Sequence, residues 1–169
     1  IESLDSFNPG DRFNIIAFRG DAIKFKPEPA PASKKAILEA KSFIGSLEAE
    51  GKTDVEKALL GIVLEPVHHD PSYVVLLSDG RPTTGVMDSR QIIQEITRRN
   101  KMKRSIFSFG GGQRVNKYLL DLISYQNRSW CGFADTYLDI KPGFEKFYRQ
   151  IKNPLLLNVR YRVVGLDNS

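Results

Sequence analysis

Tyr73 to Leu77 is an unbroken apolar run, Tyr-Val-Val-Leu-Leu, that stops abruptly at Ser78, Asp79 and Gly80. A strand with one wet face alternates polar and apolar residues, whereas a run without alternation suits a strand covered on both faces, as in a parallel sheet with helices above and below. In such sheets ligands collect beyond the carboxyl ends of the strands. Asp79 stands at one of those ends, and is the first candidate for a functional group.

The rest of the chain alternates strand and helix signals. After a helical stretch at Ile1–Phe7 and a turn at Asn-Pro-Gly-Asp, Phe13–Phe18 reads as a strand and Ala22–Phe25 as its hairpin partner across Arg19, Gly20 and Asp21. Lys-Pro-Glu-Pro-Ala-Pro-Ala-Ser is stiff and short of donors, so it reads as a connector. Ser33 then caps a helix with Ile37, Ala40, Phe43, Ile44 and Leu47 on one face, ended by Gly51. Thr53 followed by Glu56 has capping-box spacing ahead of a helix with Val55, Leu59, Ile62 and Val63 inward, closed by Pro66. Asp88 or Ser89 caps the helix of Ile92, Ile93 and Ile96; Ser105–Phe109 is a strand ending in three glycines; Asn116 caps the helix of Leu119, Leu120 and Ile123. Trp130–Ala134 reads as a short strand and Gly143–Lys152 as a last amphipathic helix. This order predicts an α/β sandwich with a mostly parallel central sheet over residues 1–153. Residues 154–169 differ: Val159, Tyr161 and Val163 alternate with Asn158, Arg160 and Arg162, the pattern of a C-terminal β segment that starts a following unit.

Composition limits the function classes. Hydrophobic residues make up 41% and charged residues 27% of 169 residues, which suits one soluble domain with a core of its own. No apolar stretch reaches bilayer-spanning length, so membrane insertion is not expected. Cys131 is the lone cysteine, which excludes an internal disulfide framework, and no neighbouring base marks it as a nucleophile. The cluster Arg98, Arg99, Lys101, Lys103 and Arg104 follows a helix C-terminus, where cations favour the macrodipole; nucleic acid is not an expected partner. Gly-Lys-Thr before Asp54 lacks a P-loop's glycine spacing and its preceding strand. Arg19-Gly20-Asp21 is explained by the hairpin turn, and His68, His69 and Asp70 by a wet loop after Pro66.

In a doubly wound sheet, the helix start at Thr53 and the strand end at Asp79 aim a hydroxyl and a carboxylate at one rim. These hard oxygen ligands suit Mg²⁺, Mn²⁺ or Ca²⁺ rather than zinc. The stretches Leu4–Phe18, Gly51–Leu59, Val74–Gly85, Ile106–Ile123 and Lys152–Val163, taken in order, resemble a von Willebrand factor type A domain. The resemblance is nearest to the kind found in inter-alpha-trypsin inhibitor heavy chains and their bacterial relatives. It implies a Rossmann-like three-layer sandwich with a metal-ion-dependent adhesion site at the top of the sheet, where the cation's open position takes a carboxylate of a partner protein. By this matching Thr53 and Asp79 are metal ligands, and a partner docks near Thr53, Asp79 and Gly110.

The chain departs from the family at its start. The family's first strand, ending in Asp-x-Ser-x-Ser, has no counterpart, and Ser3, Asp5 and Ser6 do not replace it because no apolar strand precedes them. The family's order puts that strand at the centre of the sheet, between Phe13–Phe18 and Tyr73–Leu77, so its loss predicts two unpaired strand edges. The expectations are therefore a non-enzymatic protein-interaction or adhesion module with an incomplete metal site, a fragment of a larger protein. Homo-oligomerisation by strand exchange or edge pairing is expected, and resemblance favours an extracellular, periplasmic or cell-surface location. A metal- or nucleotide-dependent α/β enzyme and a purely structural domain are the alternatives.

Overall fold

The computed structural model of the protein describes residues 2–19, 21–48, 52–66 and 72–152. Its central layer is a parallel sheet of β5 (Tyr73–Leu77), β6 (Ser105–Gly111) and β7 (Cys131–Ala134) in the order β5-β6-β7. Tyr73 pairs with Ser105 and Leu77 with Phe109, while Ser108 pairs with Cys131. Helices α3 (Ser89–Arg99) and α4 (Lys117–Gln126) make the two crossovers.

The unalternating run of β5 serves two cores. Val74 and Leu76 face one cluster with Ile106, the inward residues of α2 (Val55–Val63), and Ile92, Ile96, Leu120 and Ile123 of α3 and α4. Tyr73 and Val75 face the other, with Phe107, Phe109 and the α5 (Tyr137–Ile151) residues Phe147, Tyr148 and Ile151. Period-two alternation thus delivers apolar residues to both sides of one sheet, the expected three layers.

The N-terminal part forms a smaller unit. A 3-10 helix, Glu2–Ser6, precedes β1 (Arg12–Phe13), which pairs antiparallel with β4 (Ala30–Pro31). The hairpin of β2 (Ile16–Arg19) and β3 (Asp21–Lys24) is a separate two-stranded sheet, with Ile16 opposite Lys24. Leu4, Phe13, and Ala36 and Ala40 of α1 (Lys34–Gly45) form a third core cluster. Phe18 of the hairpin reaches the main core. Among the described residues no strand pairs with the second edge of β5, so hairpin and parallel sheet are unjoined where the family's central strand was expected.

Several boundaries differ from expectation. The strand expected over Phe13–Phe18 is broken at Asn14, whose side chain turns inward to bond the Lys26 carbonyl and amide and the Ile15 amide. The proline-rich connector does supply a strand, because Ala30 and Pro31 lie at an edge where a missing N–H costs nothing. Helix α1 ends at Gly45, before Gly51, with the Ser46 amide closing the last turn onto Ser42 and Phe43. Helix α5 begins at Tyr137 rather than Gly143 and runs through Pro142. The carbonyl four residues back belongs to Leu138, which is 88% exposed, so water can satisfy what Pro142 cannot.

Three of the five basic residues around the end of α3 are engaged in structure. Arg98 and Arg99 both grip Glu95, and buried Arg104 caps the end of α2 by donating to the carbonyls of Ile62, Glu65 (2.7 Å) and Pro66 (3.0 Å). The expectations for Gly20, Gly51, His68, His69, Asp70 and 154–169 lie outside the described residues.

Candidate functional site

The rim above the carboxyl ends of the strands is built from three loops. The first follows β5. Ser78 extends the parallel pairing by donating its N–H to the Phe109 carbonyl at 3.2 Å, which carries the strand direction up to Asp79. Asp79 is exposed, and one carboxylate oxygen, Oδ1, accepts the Arg81 N–H at 3.0 Å in a turn. Its carbonyl accepts the Asn116 N–H at 2.7 Å, which ties this loop to the start of α4.

The second loop, 52–54, leads into α2. Its cap is Asp54, whose Oδ1 accepts the Lys57 N–H at 2.9 Å, and not Thr53 as the capping-box spacing suggested. The shift has a tertiary cause. The Thr53 carbonyl accepts from the amides of Thr83 (2.9 Å) and Thr84 (3.3 Å), while the Thr53 N–H donates to Thr83 Oγ1 at 2.6 Å. Held as part of a loop-to-loop pairing, Thr53 stays outside the helix and its successor caps it. The Thr53 hydroxyl makes no hydrogen bond to any described residue, so it is not spent on capping.

Gly85 closes the same junction. Its φ is +72°, and a Cβ there would lie 2.4 Å from Asp54 Oδ2, so the backbone turns against the capping carboxylate as only glycine can.

The third loop, after β6, holds Gly110, expected near the docking face. It is buried: a Cβ would meet Val115 Cγ1 at 2.7 Å and Leu120 Cδ1 at 2.9 Å. Its part is close packing beneath the rim, and the exposed surface above comes from Gln113 and Arg114. The fold thus brings the loops of Thr53 and Asp79 together by direct hydrogen bonds, while Gly110 packs against Val115 and Leu120 around the start of α4. Lys52, beside Thr53, is exposed.

The donor set matches a hard cation in kind: a hydroxyl and a carboxylate. Among the described residues no group of three His, Cys, Asp or Glu side chains is able to bind a metal, so water would have to supply most of the six oxygens that Mg²⁺ takes. Ser3, Asp5 and Ser6 supply none: Ser6 Oγ donates to the Ser3 carbonyl at 2.8 Å and Asp5 pairs with Lys41. Near the rim, Glu56 is raised above the ordinary carboxylate range by burial and then by the charges of Asp54 and Glu95. Cys131, on β7, is pushed up to about 12 chiefly by burial, which removes it as a thiolate nucleophile.

Sequence reasoning missed the groove beside Asp79. It has a volume of about 470 Å³ and is lined by Arg81, Pro82, Met87, Arg114, Val115 and Asn116. The signal available was an arginine in each of two loops leaving the strand ends, Gly80-Arg81-Pro82 and Gln113-Arg114-Val115.

Comparison with known proteins agrees with this architecture. The family model described as von Willebrand factor type A domain matches residues 3–128. Inter-alpha-trypsin inhibitor heavy chain H4 of Homo sapiens is 29% identical over 170 residues, covering 95% of this chain and 18% of that protein. Heavy chain H2 of Sus scrofa is 28% identical over 167 residues, covering 94% of this chain and 18% of that one. The chain thus spans under a fifth of the length of these relatives. Among solved structures, a von Willebrand factor type A protein from Catenulispora acidiphila superposes with a TM-score of 0.73 at 18% identity, over 86% of this chain and 35% of that one. BatB from Bacteroides thetaiotaomicron gives a TM-score of 0.63 at 13% identity, over 88% and 82% of the two chains. With most of its length matched in sequence and its layers matched in structure, the chain belongs to the von Willebrand factor type A domain family.

Proposed function

We propose that this chain is a protein-interaction module that docks a partner on the rim formed by Thr53, Asp79 and the loops around them. Domains of this family are typically protein-interaction modules and commonly bind a divalent cation at this rim. The observation that carries the reading is the pairing of Thr53 with Thr83, which brings the Thr53 loop to the loop that begins at Asp79. Thr53 and Asp79 would hold Mg²⁺, or Mn²⁺ or Ca²⁺, and such a cation would offer an open position to a partner's carboxylate. With two oxygen ligands the site is incomplete, and the expected cation affinity is weak.

No catalytic role is proposed: domains of this family are typically interaction modules, and burial raises the Cys131 thiol out of the range of a thiolate nucleophile. The edge of β5 that pairs with no strand among the described residues supports edge pairing or strand exchange with a second copy. No helix among the described residues is long and apolar enough to cross a membrane, and family membership supports an extracellular, periplasmic or cell-surface setting. The test is calorimetric titration with Mg²⁺ and, separately, with ATP. Weak Mg²⁺ binding that strengthens when a strand ending in Asp-x-Ser-x-Ser is joined ahead of Ile1, with no response to ATP, is the expected result. Tight ATP binding with turnover would replace the module by an enzyme.

A further inference from the structure

We infer that the groove beside Asp79 is a second docking subsite, one that takes an acidic side chain of a partner protein together with a neighbouring aliphatic residue. The inference rests on the reading of the rim as a protein-docking face, but not on the cation.

The groove's walls come from the loop after β5 and the loop into α4, so it lies on the rim itself. Asp79 fixes both walls: its Oδ1 accepts the Arg81 N–H at 3.0 Å and its carbonyl accepts the Asn116 N–H at 2.7 Å. Arg81 and Arg114 are exposed, and neither guanidinium has a hydrogen bond or ion pair with any described residue. Arg98 and Arg99, by contrast, are engaged with Glu95, and Arg104 with carbonyls of the α2 end. No acidic residue lines the groove. The first turn of α4 carries no acid either, and its cap is the neutral Asn116, so the positive end of that helix has the same sign as the arginines.

Charge alone would suit any anion. The remaining lining narrows the choice, because Pro82, Met87 and Val115 give the groove an apolar side, and Met87 is 60% exposed. A guanidinium matches a carboxylate through paired N–H donors, and an unbranched methionine adapts to an aliphatic neighbour. Arginine and methionine are both enriched where proteins meet proteins. The occupant these features select is a segment with a glutamate or aspartate next to a leucine-like residue.

The test is fluorescence anisotropy of the 169-residue chain with a labelled Gly-Glu-Leu-Glu-Leu-Gly peptide, its Gln-for-Glu counterpart and a labelled oligothymidylate. The Glu peptide is expected to bind about tenfold or more tightly than the Gln peptide, the loss of roughly one charge-assisted contact. EDTA, in buffer without added divalent cation, is expected to leave that binding unchanged, which separates this subsite from the cation reading. The double variant Arg81→Gln with Arg114→Gln is expected to weaken binding by about tenfold or more while keeping the melting temperature and far-UV spectrum. Equal affinity for the Glu and Gln peptides, or full binding by the double variant, overturns the inference. Tighter, arginine-dependent binding of the oligothymidylate overturns it in favour of a nucleic-acid surface.

Discussion

Thr53 and Thr83 are bonded reciprocally: the Thr53 carbonyl accepts the Thr83 N–H at 2.9 Å, and the Thr83 hydroxyl oxygen accepts the Thr53 N–H at 2.6 Å. This pairing joins two loops that leave different elements, one entering α2 and one leaving β5. Without it the hydroxyl of Thr53 and the carboxylate of Asp79 would hang on independent loops. Thr83→Val keeps the shape and removes the acceptor. It is expected to cost roughly 0.5–1.5 kcal/mol in chemical unfolding, and to speed amide exchange at Thr53 and Thr84. Unchanged exchange there would show that the loops are held by something else.

The assignment of the α2 cap makes a separable prediction. Asp54→Ala removes the side chain that caps α2 and is expected to destabilise by about 0.5–2 kcal/mol. Thr53→Ala leaves the backbone bonds and is expected to stay within about 0.5 kcal/mol of the parent. Paired urea melts check the order, and a Thr53 variant that is the less stable of the two would restore the capping-box reading.

Two glycines with positive φ differ in their surroundings. Gly10, at φ +94°, has nothing within 4 Å of a built Cβ, whereas Gly85 faces the Asp54 carboxylate. Gly10→Ala is expected to cost only the conformational part, roughly 1–2 kcal/mol. Gly85→Ala adds displacement of the cap, so its denaturation midpoint should fall further, and a crystal structure of that variant should show Asp54 turned away from Lys57.

Glu95 is the charged anchor on α3. Hydrogen bonds from Arg98, then Arg99, hold its carboxyl below the ordinary value of 4.5. A lowered folded value means that its contribution is present above the ordinary pKa and is lost as pH falls through the folded one. Glu95→Gln is therefore expected to lower the melting temperature slightly near pH 7 and not at all near pH 2. Added salt should shrink the difference at the higher pH.

What the sequence disclosed was mostly local. Ser33 and Asn116 were readable as caps, and Asp88 as one of two candidates with Ser89, because each side-chain oxygen needs only the amide three residues on, and all three make that bond. The two-sided packing of β5 was readable because an unalternating run has no wet face to offer, although only Leu76 is fully buried and Leu77 stays 53% exposed. Thr53 and Asp54 are both good cap residues, and the choice between them was made by Thr83 and Thr84, some thirty residues away. The last helix was expected from Gly143 and begins at Tyr137, because what Pro142 costs a helix depends on how wet Leu138 is, which no local pattern records. The groove of Arg81 and Arg114 escaped for the same reason, since two loops become one surface only once the strands are side by side.

The most direct measurement is a titration with Mn²⁺ followed by backbone amide resonances, since a paramagnetic ion reports even weak occupancy by broadening the nuclei beside it. The account predicts that the amides of Thr53, Asp79 and the adjoining 80–84 segment broaden first, and that Thr53→Ala combined with Asp79→Asn removes the effect. Broadening centred elsewhere on the molecule, or unaltered in the double variant, would contradict a cation-directed docking rim.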